Sequence, residues 1–145
     1  MNESKACQAV ECFKSGFNCA QSVFSTYCEE LGLDRTTGLR LSCGLGAGMG
    51  RLQETCGAVS GAYLLISLKY GMTSPDALPD KEATYAMVRH FAELFKERHQ
   101  TTDCFELLGV NMLTDDADLV KEKHDTICPK VIKDSAEIIE QLLFA

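Results

Sequence analysis

Four of the eight cysteines in this chain, Cys19, Cys56, Cys104 and Cys128, follow or abut residues that start helices. Cys19 comes after Asn18, a good N-cap. Cys104 comes after Thr101, Thr102 and Asp103, and Cys128 precedes Pro129, which favours the first helical position and makes Cys128 the expected cap. Cys56 lies two residues beyond Glu54 and six beyond Gly50, so an opening turn is expected there too. Unpaired N–H groups and the positive end of the helix dipole favour thiolate over thiol. Thiolate is the form that ligates metal, attacks disulfides or gives up electrons. The expectation is four low-pKa thiols. The other cysteines read as small hydrophobes: Cys7 and Cys28 on inner helix faces, Cys12 and Cys43 with less to place them.

No local signature assigns the chemistry. The chain has no CxxC, no CxxCH for covalent haem and no paired Cys/His zinc spacing, so any site must be assembled from distant positions. The run Gly44-Leu-Gly-Ala-Gly-Met-Gly50 alternates and so fails GxGxxG, and it lacks the GK[ST] ending of a phosphate loop. Two readings of the glycines remain. Gly46, Gly48, Gly50 and Gly57 can let backbone N–H groups surround an anionic cofactor. They can also let helices cross closely, as Ala58, Ser60, Gly61 and Ala62 would. Either way, small residues clear space around Cys56.

Other residues offer less. His90, His99 and His124 read as solvent-facing or capping, with no HExxH pairing. Asp115, Asp116 and Asp118 lack the glycine and glutamate of a calcium loop and read as helix N-terminal acids. Arg51 and Glu54 stand shortly before Cys56 and can tune its charge. There is no GxSxG, so hydrolase chemistry has no foothold.

The elements that must position these thiols are helical. Apolar periodicity predicts helices over 4–15 and 18–31, then a short one from the Asp34 cap to Ser42. The glycine run breaks regularity. A long apolar helix follows over 54–70, stopped by Gly71, then helices over 80–99, 104–108, 115–123 and 129–143. No stretch has the period of a strand. The fold class expected is all-α, one domain over 1–145: a bundle of six to seven helices with a glycine-rich loop before the Cys56 helix.

At the four cysteines the chain resembles a family of redox-active proteins defined by four separated motif cysteines and a CGAxxG signature. The signature is Cys56-Gly57-Ala58-Val59-Ser60-Gly61, and Asn18-Cys19-Ala20-Gln21 matches the family's NCAQ. Gly44 to Arg51 matches its glycine-rich approach, and Cys104 in CFELLG and Cys128 in CPKVIKDSAEIIE match the third and fourth cysteine positions. The resemblance covers nearly the whole chain and implies redox activity without naming a reaction. A wider similarity is to the four-cysteine module of split-Soret cytochromes, in which an iron–sulfur centre accompanies haem. Lacking CxxCH, this chain implies no covalent haem.

Composition bounds the rest. The chain has 145 residues and a net charge of -7, which argues against nucleic-acid or anionic-membrane partners. No apolar run is long enough to span a bilayer. The first residues, MNESKACQAVECFKSGFN, have no apolar stretch of the signal-peptide kind, so a cytosolic protein is expected. The leading expectation is that Cys19, Cys56, Cys104 and Cys128 converge on an iron–sulfur cluster or another thiophilic metal such as zinc. The alternative is a reversible disulfide between two of them, with Cys56 and Cys19 as the catalytic thiols. The blandest alternative is a structural or interaction protein. The expected partner is a redox protein or a small thiol, with self-association open.

Overall fold

A helix enclosed on all sides over its first ten residues, 57–66, runs through the centre of the computed structural model, which describes residues 3–145. Met1 and Asn2, the start of the expected 1–145 domain, lie outside the described residues. The chain forms α1 (Ala6–Lys14), α2 (Cys19–Tyr27), α3 (Arg35–Cys43), α4 (Gly57–Tyr70), α5 (Leu78–His99), α6 (Cys104–Leu108) and α7 (Ala117–Ile139). A 3₁₀ turn follows α2, and a wider helical turn over Glu140–Phe144 closes the chain. Among the described residues there is no sheet, only an isolated antiparallel bridge from Thr55 to Asp103. The all-α, single-domain expectation holds.

The central helix is α4. Gly57, Ala58, Val59, Ser60, Gly61, Ala62, Leu65 and Ile66 are all buried, so it has no single apolar stripe and must be enclosed. Helix α2 packs most extensively against it. Their approach is backbone to backbone: a methyl group at Gly61 would meet the Ala20 carbonyl oxygen at 2.8 Å. On the other side, Phe91 and Phe95 of α5 are fully buried, and Phe91 meets Tyr63 edge-on with ring centroids 5.8 Å apart. Helix α7 closes the bundle against α1 and α4, where the buried Ser135 hydroxyl donates to the Ala58 carbonyl at 2.7 Å.

Three expectations are corrected. The segments 115–123 and 129–143 are one helix, and Pro129 lies inside it. Proline removes a hydrogen bond to the carbonyl four residues back and costs about 3 kcal/mol in a helix interior. Burial of Val131, Ile132, Ala136, Ile138 and Ile139 on the following turns offsets that cost. Cys128 is therefore a mid-helix residue and not a cap. The Cys56 helix starts at Gly57, with Cys56 itself as its N-cap, three residues later than expected. Cys7 is exposed, because the closest approach of α1 uses Ala6, Ala9 and Phe13, rotating the inner face by one residue. Cys28 is fully buried, as expected; Cys12 is half-buried and Cys43 exposed.

Candidate functional site

The NCAQ stretch explains itself residue by residue. The Asn18 side chain accepts from the Gln21 N–H at 2.9 Å, and the Gln21 side chain accepts from the Asn18 N–H at 3.1 Å, forming a capping box. The same Asn18 amide donates to the Cys43 carbonyl at 2.8 Å, tying α2 to the end of α3. Ala20 lies against Gly61, and Cys19 is left as the first helical residue.

Cys56 and Cys104 are brought together by backbone. Residues 53–56 run antiparallel to 102–105: the Cys56 N–H donates to the Thr102 carbonyl at 2.7 Å, and the Cys104 N–H donates to the Glu54 carbonyl at 2.6 Å. Asp103 caps α6 through the Glu106 N–H at 2.9 Å and leaves Cys104 as its first residue.

The glycine run before Cys56 coils left-handed. Ala47, Gly48, Met49, Gly50, Arg51 and Gln53 all have positive φ, from 54° to 71°. Left-handed backbone costs a non-glycine residue roughly 1–2 kcal/mol, and four of these six are not glycine. Such strain persists only where its surroundings fix it. Here Gln53 fixes it: buried, it donates to the Val110 carbonyl and accepts from the Met112 N–H, both at 2.8 Å. The alternation of residue types gave no sign of this coil, because Gln53 and Arg51 read as ordinary polar residues.

Absent side chains make the close contacts. A methyl at Gly57 would stand 2.3 Å from the Cys19 sulfur, one at Gly48 2.7 Å from the Cys104 Cβ, and one at Gly46 2.3 Å from the Asn18 side chain. Gly50 has open space around it and needs glycine for its positive φ alone. The glycines thus clear room for Cys19, Cys104 and Asn18 more directly than for Cys56.

Cys19, Cys56, Cys104 and Cys128 all line one cavity of about 520 Å³. All four are buried, with at most 9% of their surface exposed. The backbone N–H groups of Ala47, Ala20 and Gly57 favour the charged form of Cys19. Those of Ala58 and Val59 do the same for Cys56, and the Gln53 side chain does so for Cys104. The expected thiolate character is nevertheless overturned, since all four thiols are pushed up. Burial is the largest cause in each, and the charge of Cys19 raises Cys56, Cys104 and Cys128 further. Cys104 is pushed up to about 12. Desolvation outweighs the helix ends. Among the described residues, no group of three or more His, Cys, Asp or Glu side chains is arranged to hold a metal ion as it stands.

The remaining wall is largely apolar, and residues with no sequence signal enter it. Phe13, Leu107, Met112, Val120 and Ile127 contribute, with Arg51, Lys121 and His124 nearer the surface. His124 packs on the Phe13 ring at 4.8 Å between centroids and contacts Asp125 at 3.1 Å, so it is more than a solvent-facing side chain. His99 pairs with Asp134 at 2.7 Å, His90 is exposed, and Asp116 caps α7. No helix is long and apolar enough to cross a membrane among the described residues.

No curated protein and no solved structure matches the chain. One family model does, over residues 17–142, described as "Putative redox-active protein (C_GCAxxG_C_C)". That span holds all four cavity cysteines, although the family's motif as described has Gly before Cys where this chain has Cys56 before Gly57. With the match covering nearly its whole length, the chain belongs to this redox-active protein family.

Proposed function

We propose that Cys19, Cys56, Cys104 and Cys128 together hold a polynuclear thiophilic metal group, an iron–sulfur cluster, and that the protein carries or senses electrons with it in the cytosol, the compartment where eight cysteines stay reduced. One observation carries the reading: four buried thiols from four helices line a single cavity, and nearby backbone N–H groups favour the charged form of two of them. That donor set fits a sulfur-ligated cluster, whose potential is set by burial and hydrogen bonds to sulfur. It fits a lone zinc ion less well. Four sulfurs each about 2.3 Å from one zinc stand about 3.8 Å apart, and no three ligand side chains among the described residues are so gathered. When bound, the cluster would supply one-electron chemistry.

The chain's own residues do the rest. The N–H groups of Ala47, Ala20 and Gly57 offset negative charge on Cys19, and those of Ala58 and Val59 do so on Cys56. Each raised thiol must release its proton to become a ligand, so loading falls as pH drops. The test is anaerobic purification followed by visible absorption and measurement of iron, zinc and acid-labile sulfide. Stoichiometric iron and sulfide, absorbance that bleaches on reduction, and loss of both in each single Cys→Ser variant are expected, because ligands act together. Colourless, metal-free protein that gains thiols on mild reduction, with two of the four positions dominating, would overturn the cluster in favour of a dithiol–disulfide pair.

A further inference from the structure

We propose that the same cavity binds a small organic anion, with its apolar body against the wall and its acidic group on Arg51. The inference rests on the thiols forming the reactive end of this cavity. The thiols lie deep, whereas Arg51 and Lys121 are exposed. At about 520 Å³ the cavity falls within the range of small-molecule sites, roughly 300–1,000 Å³. Between its depth and its mouth the wall is apolar: Phe13, Leu107, Met112, Val120 and Ile127. Such a wall rewards an apolar body and offers a polar one little.

The mouth selects for charge. On a chain of net charge -7, Arg51 and Lys121 both line this one cavity, against the single acid Asp115. Lys121 and His124 are both turned to Asp125, at 2.6 and 3.1 Å. Arg51 is engaged by no acid among the described residues. It stands at φ 69° in the left-handed coil, a position that costs energy to hold, and it lines the cavity. A guanidinium fork matches a carboxylate, sulfonate or phosphate oxygen pair. The structure thus assigns the site a ligand of one acid group on a hydrocarbon or aromatic body.

Two dyes of one shape test this on the full-length protein: anilinonaphthalene sulfonate and the uncharged phenylnaphthylamine. Fluorescence titration should give saturable binding of one dye per chain. Arg51→Gln should weaken the sulfonate about tenfold, the value of one charge-assisted hydrogen bond, and leave the neutral dye unchanged. Val120→Trp should abolish both by filling the wall. Leu113→Glu, at the exposed rim, should weaken only the sulfonate and perturbs no core residue. Leu52→Ser, on an exposed apolar position outside the cavity, should change neither. Absent saturable binding, or sulfonate binding indifferent to Arg51→Gln and Leu113→Glu, overturns the proposal. So does binding that falls with Leu52→Ser. Iron and sulfide are measured on the same samples: wild-type protein that keeps its cluster and binds no dye sinks this inference alone, and dye binding by anaerobically purified wild-type protein without iron or sulfide sinks only the cluster.

Discussion

The two halves of the thiol site are built differently. The charged forms of Cys19 and Cys56, on the α2–α4 side, are favoured by backbone N–H groups of helix starts and of the left-handed coil. Cys104, on α6, has a side-chain amide from Gln53, and the charges acting on Cys128, in the middle of α7, all oppose its ionisation. The first half is prepared for negative charge by fixed dipoles; the second is burial with little to offset it. Fixed N–H donors cost no reorganisation when charge arrives. The α2–α4 side is therefore the anchor of any ligated group, while burial pushes up the thiols on both sides, Cys56 well above its ordinary value.

The largest test of the anchor is Gly57→Ala. The added methyl would stand 2.3 Å from the Cys19 sulfur and 3.1 Å from the Ala20 nitrogen and Leu45 oxygen. Two of these are backbone, which yields little, so a destabilisation of about 3 kcal/mol is expected, the upper end for overpacking. Urea unfolding measures it. Gly50→Ala is the companion, with open space and a cost of about 1 kcal/mol from its positive φ alone. Equal effects would show that conformation, and not closeness to Cys19, decides the glycines.

Next in size is the pH dependence of the reduced, metal-free protein. Cys104 is held near 12 in the folded chain against an ordinary 9.0. Below pH 9 both states keep the proton and the fold has its full stability. Between 9 and 12 the unfolded chain has released a proton that the folded chain retains, so stability falls as pH rises, by up to about 1.4 kcal/mol per pH unit for each such thiol. Cys128→Ser and Cys104→Ser should each flatten this slope in urea titrations. A slope untouched by both would place the alkaline loss elsewhere.

How much of this was legible in the sequence follows from which signals are local. Asn18 and Asp103 announced their helices, and Cys19 and Cys104 sit where those caps put them. The all-α fold followed from periodicity. Cys128 was misplaced because Pro129 is a local breaker that a buried face overrides. The thiol pKa direction was misread because burial of four sulfurs together is a tertiary property. No residue pattern announces the left-handed coil, since its support is tertiary: Val110 and Met112 hold the Gln53 side chain from across the site.

The smallest test compares the two caps, one from each half. Replacing an N-cap by alanine costs about 1 kcal/mol, and both Asn18 and Asp103 accept from a backbone N–H at 2.9 Å. On capping alone, Asn18→Ala and Asp103→Ala should match. They should not match here. Asn18 also donates to the Cys43 carbonyl and fills the space that Gly46 leaves, joining α2, α3 and the coil. Asp103 caps a helix of five residues. Asn18→Ala is expected to cost about twice as much in urea unfolding, with one further hydrogen bond lost. Asn18→Asp separates the contributions: it keeps the cap and loses the donor to Cys43, so it should fall between wild type and alanine. If Asn18→Asp behaved as wild type, the tie to α3 would carry no energy, and the two halves of the site would be anchored alike.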